Sequence, residues 1–69
     1  MIEHRNYRLY IHGDHPHQGE ICYPLGETEE TMSSMVMDGI TRWLVKSEET
    51  GIEFYITKKD ASLLPPLRG

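Results

Sequence analysis

The sequence predicts an α+β domain in the order strand, strand, helix, strand, and three features of its 69 residues predict it. Residues 7–12, 20–25 and 52–57 are rich in β-forming side chains and alternate apolar with polar positions, the period of a half-buried strand. Between the second and third of these runs, apolar residues recur at spacings of three and four, the period of a helix. Clusters of Gly, Asp and Pro punctuate the joins.

In the first run Tyr7, Leu9 and Ile11 are expected inward, with Arg8, Tyr10 and His12 outward. The second run turns Ile21, Tyr23 and Leu25 inward; Pro24 cannot donate to a ladder, so this strand belongs at a sheet edge or ends there. Helix signals follow at once. Thr28 suits the N-cap and Thr31 the N3 position, while Glu29 and Glu30 complement the positive end of the helix dipole. Met32, Met35, Val36, Gly39, Ile40, Trp43 and Leu44 then fall on one stripe. Gly39 costs a helix interior about 1 kcal/mol relative to alanine, and its place on the stripe implies close approach to the sheet. The helix is expected to fray over residues 46–50, with Gly51 as its stop. The third strand directs Ile52, Phe54 and Ile56 inward. The tail, residues 61–69, is apolar but broken by Pro65 and Pro66, which makes it an extended arm.

A hairpin followed by a right-handed crossover places the first strand between the other two. The expected sheet is therefore three-stranded, antiparallel or mixed, of order 2-1-3, with the single helix packed on one face. The opposite, open face shows Arg8, Tyr10, His12, Cys22, Tyr55 and Thr57. Residues 1–60 make up one small domain and residues 61–69 the arm.

A domain of this size buries only about 60% of the surface of its unfolded chain, so its core is thin. Cys22 is the only cysteine, so no disulfide reinforces that core. With no secretory pattern at the start of the chain, the expected setting is the cytoplasm. No apolar run is long enough to cross a bilayer, and no membrane role is expected. The formal net charge is −4, from seven Lys and Arg against eleven Asp and Glu. The imbalance is concentrated where Glu27, Glu29, Glu30, Asp38, Glu48, Glu49 and Glu53 face only Arg42 and Lys46. Such a surface repels a phosphate backbone. That disfavours nucleic acid and leaves only a single-strand stacking platform built from Arg8, Tyr10 and Tyr55.

Titratable chemistry is concentrated in the turn after the first strand, where His12, Asp14, His15 and His17 lie within six positions. These are the donor types of a zinc site, with Cys22 as a further ligand. The competing reading is a polar hairpin turn in which Asp14 caps backbone amides and the histidines are solvated. That outcome is the more frequent one for a short motif outside its structural context. No nucleophile is set up elsewhere. Cys22 reads as a small apolar strand residue, and Thr28, Ser33, Ser34 and Asp38 form no triad pattern, so no enzyme is expected.

Association is favoured instead. Met37 falls off the helical stripe and forms an apolar spot among acids, a composition suited to adaptable protein contacts. The third strand, an uncovered edge in the expected order, can pair with its own copy. Leu64 and Leu67 of the arm can reach across to such a neighbour. Residues 26–30, Gly-Glu-Thr-Glu-Glu after a strand hairpin, resemble the start of the helix in the small partner domains of HicB-type antitoxins, which implies a scaffold able to bind and inhibit another protein. The expectation is a non-catalytic, protein-binding regulator or inhibitor, acting as a homodimer. Its contact residues are Arg8, Tyr10, His12, Met37, Tyr55, Leu64 and Leu67, and the metal site of the histidine turn is the alternative.

Overall fold

Asp38 and Gly39 decide the architecture. Both have positive φ, 55° and 75°, the pairing required by a two-residue hairpin turn whose twist matches its strands. The chain reverses there, and Met37 comes opposite Ile40, Val36 opposite Thr41, Met35 opposite Arg42 and Ser34 opposite Trp43. The stretch expected as a helix is thus a β-hairpin. In the computed structural model, which describes residues 1–65, the only helical element is a 3₁₀ turn at Lys58–Asp60.

The strands are β1 (Ile2–Glu3), β2 (Leu9–Ile11), β3 (Ile21–Gly26), β4 (Ser34–Met37), β5 (Ile40–Ser47), β6 (Glu53–Thr57) and β7 (Ala61–Leu63). All pair antiparallel in one sheet that curls into a half-barrel. Along it run β4, β5, β3, β2 and β7, with β6 on β5 and β1 on the end of β3. The expected order 2-1-3 is replaced: β2 lies between β3 and β7, and β6 joins the sheet through β5. Ala61–Leu63, at the start of the expected arm, forms ladder pairs with β2.

The interior of the curl is filled by Ile11, Cys22, Val45 and Ile56, against which Leu9, Trp43, Phe54 and Ala61 pack. Cys22 therefore lies inside and not on an open face. Tyr23 and Leu25, expected on that inner face, are buried on the other side of β3. There Glu3 of β1 pairs with Leu25 and the Arg5 guanidinium lies 4.8 Å over the Tyr23 ring. Both faces of β3 are covered, so its alternation could not reveal which one looks inward. Ile52 precedes β6 and is exposed.

The expected helix start has a local counterpart. The Thr28 N–H donates to Thr31 Oγ1 at 3.0 Å and the Thr31 N–H to Thr28 Oγ1 at 3.1 Å, the reciprocal pattern of a capping box. The chain nevertheless leaves this turn as a strand, because Met32 bridges back to Gly26. A Cβ on Gly26 would stand 2.5 Å from Met32 Cα, so only glycine permits that approach. Among the described residues no helix is long and apolar enough to cross a membrane.

Candidate functional site

The interior of the half-barrel has two ends. The histidine turn closes one of them. Gly19, with φ 86°, and Glu20 together oppose Ile11: the Gly19 N–H donates to Ile11 O and the Ile11 N–H to Glu20 O, a bulge that sharpens the return into β3. The turn folds over Phe54, with His17 stacked on its ring at 4.0 Å and His15 tilted at 5.8 Å. His17 Nδ1 lies 2.8 Å from Glu20 Oε2, and Ser47 Oγ donates to Glu20 Oε1 at 2.7 Å. The same Ser47 oxygen accepts the Glu49 and Thr50 N–H groups of the β5–β6 turn. These bonds hold the Glu20 carboxyl below the usual carboxylate range, the Ser47 hydroxyl first and His17 second. The His17 N–H donates to His15 Nδ1 at 3.1 Å, so that nitrogen serves as an acceptor within the turn.

In this geometry His15 and His17 cover Phe54. Among the described residues, no group of three or more His, Cys, Asp and Glu side chains is placed to hold a metal ion. His15 and His17 are brought together, their centroids 5.6 Å apart, and Asp14 is exposed. The His12 backbone N–H ties the turn to Asp60 O at 2.9 Å. Cys22 is fully buried, and burial pushes its thiol up to about 12, with Glu20 and Glu48 adding to the shift.

The other end is open. Leu9, Pro24 and Ile56 form the floor of a mouth of about 280 Å³. Trp43 and Met32 wall one side and Ala61 and Leu63 the other, with Tyr7 and Lys58 also in the lining. The register explains this grouping. Trp43 lies opposite Ile56 and Leu9 opposite Leu63, which brings the two pairs to the same end of the curl. Leu63 is 66% exposed. The lining residues are apolar except for Tyr7, Trp43 and Lys58, whose side chains carry a hydroxyl, an indole N–H and an ammonium, and among the described residues Lys58 enters none of the ion pairs.

The residues expected to contact a partner are scattered. Arg8 is held by Glu48, with Nη2 to Oε2 at 2.9 Å. Tyr10 on β2 and Tyr55 on β6 are both exposed, but β3 and β5 separate their strands in the sheet, so no shared stacking platform forms. Met37 is exposed beside the hairpin turn. His12 is half-buried, and so is Leu64, whose N–H donates to Arg8 O at 2.8 Å. Leu67 lies outside the described residues. The mouth is not legible in the sequence because four of its lining residues, Met32, Trp43, Pro24 and Leu63, read there as parts of a helix stripe, a strand end and an arm. The usable signal was the Asp38-Gly39 pair, which turns the stripe into two strands.

No family model matches the chain, and no curated protein or solved structure matches it.

Proposed function

We propose that this protein is a non-catalytic binding module that takes an apolar segment of a protein partner into the mouth of its half-barrel, and so regulates or inhibits that partner. The observation that carries this reading is the mouth itself: an open apolar recess, about 280 Å³ in volume, between Trp43 and Leu63. Recognition sites combine apolar walls with a few polar groups that orient the ligand. Here Lys58 and Tyr7 supply them, so the preferred segment carries a carboxylate beside its apolar side chains. The recess is too small for more than a few side chains, which suits a short motif. A cytoplasmic setting agrees with a single, buried, free cysteine.

Trp43 is the only tryptophan and lines the recess, so its emission reports occupancy. A displayed peptide library selected on the protein should enrich short apolar peptides containing an acid, and their binding should shift Trp43 emission to shorter wavelength. Leu63→Asp should abolish the shift and Lys58→Glu should weaken it. Selection of no peptide, or binding indifferent to Leu63→Asp, would reject the reading.

A further inference from the structure

The hairpin of β4 and β5 carries a second surface, independent of what fills the mouth. Among the described residues strand β4 has a single ladder neighbour, β5, and the tip of the hairpin, where β6 no longer pairs with β5, is two-stranded, a ribbon that is marginal in water without further cover. Its apolar side chains are nonetheless presented to solvent: Val36 is 67% exposed, Met37 49% and Ile40 41%.

The backbone of β4 also has a free side. The Leu44 N–H donates to Ser33 O at 3.0 Å, and hydrogen-bonded and non-bonded pairs alternate along an antiparallel ladder. With Met35 opposite Arg42 and Met37 opposite Ile40, residues 35 and 37 direct their amides and carbonyls to β5, as Ser33 does its carbonyl, while the Ser33 N–H donates to Leu25 O at 2.7 Å. Ser34 and Val36 direct theirs outward.

We infer that this edge pairs with the same edge of a second copy, extending the sheet across a two-fold axis at Met35. In that register Ser34 faces Val36 of the partner subunit, and each pair exchanges two backbone hydrogen bonds. The outward residues Ser34 and Val36 lie symmetrically about Met35, so the edge is complementary to itself, and local charge permits the pairing. Two copies at net charge −4 repel, yet residues 31–37 carry no charge, and the register sets Asp38 against Met32 of the partner subunit, so no acid meets an acid. Strand β6 also has a free edge, but it contains Glu53, the kind of charge that protects an edge from pairing.

The test is the mass of the intact chain by light scattering at high micromolar concentration, with circular dichroism as the folding control. The expected mass is twice the 8.0 kDa of one chain. Val36→Pro removes an outward N–H and leaves the bonds to β5 intact, so a folded monomer is expected. Met35→Glu gives the hairpin an acid opposite Arg42 while setting two carboxylates face to face across the axis, and it too should be a folded monomer. It decides the matter if the proline variant unfolds. A monomeric parent chain, or folded variants that remain dimeric, would overturn the proposal. Peptide binding at the mouth is read separately through Trp43, so failure of either idea leaves the other standing.

Discussion

His17 and Phe54 lie face to face, their ring centroids 4.0 Å apart and their planes 11° from parallel. Phe54 points into the curl opposite Val45, so the imidazole serves as a lid on the apolar interior. Two of the three clustered histidines, His15 and His17, thus have an aromatic contact with Phe54. An aromatic pair of this kind contributes about 1 kcal/mol beyond its buried area. His17→Ala should lower the unfolding free energy by about 1–2 kcal/mol, as it removes both the stack and the contact with Glu20. His17→Phe should recover part of that loss. Urea denaturation followed by circular dichroism measures both.

Glu20 makes stability depend on acid. Its carboxyl lies below the usual range because Ser47 and His17 bond to the charged form, so the folded chain binds this proton less readily than the unfolded chain. The stabilisation is complete above the usual carboxylate range and is lost as pH falls through the lowered folded-state value. Glu20→Gln should therefore be less stable than the parent chain at neutral pH, with the difference closing below about pH 4. Denaturant midpoints of the two chains across that range provide the comparison. A constant difference at all pH values would mean that Glu20 acts through shape alone.

Cys22 should be inert in the folded protein. It has no exposed surface, and burial raises its thiol to about 12, which leaves almost no thiolate, the reactive species, near neutral pH. A colorimetric disulfide reagent at about pH 8 should label it only after denaturant is added. Labelling at the rate of a free thiol in native buffer would show that the half-barrel opens readily.

The three strands marked by alternation, residues 7–12, 20–25 and 52–57, correspond to β2, β3 and β6. Period-two patterning with β-branched and aromatic side chains locates these strands, but it puts Tyr23 and Leu25 on the wrong face of β3. The failure lies between residues 28 and 47, and it has a physical cause. Met35, Val36, Ile40, Trp43 and Leu44 satisfy helical spacing, yet the same set forms two strands mirrored about Asp38-Gly39. Short apolar runs fit either period. What should have decided between them was backbone chemistry: Asp-Gly between β-forming residues is a strong hairpin signal, whereas Gly39 inside a helix is a cost. The mouth was illegible for the same reason, since Trp43 reaches it only once β5 exists. The β7 ladder had weaker signals still, because a three-residue strand beside two prolines has too little pattern to read.

Two glycines should respond in opposite degree to the same change. Gly39 has φ 75° but open space around the position of a Cβ, so Gly39→Ala carries only the cost of a left-handed backbone, about 1–2 kcal/mol. Gly26 has no such φ, yet a Cβ there would lie 2.5 Å from Met32 Cα and 2.8 Å from Thr31 O. Both are backbone atoms that cannot rotate aside, so Gly26→Ala must force the bridge to Met32 apart, at about 3 kcal/mol or more. Because Met32 also walls the mouth, this variant should change the emission of Trp43 as well as the melting temperature, while Gly39→Ala should lower the melting temperature with little change in emission. Thermal melts and fluorescence spectra of the two variants test the order. Equal destabilisation would mean that the close approach of Met32 to Gly26 contributes little to holding β4 in place.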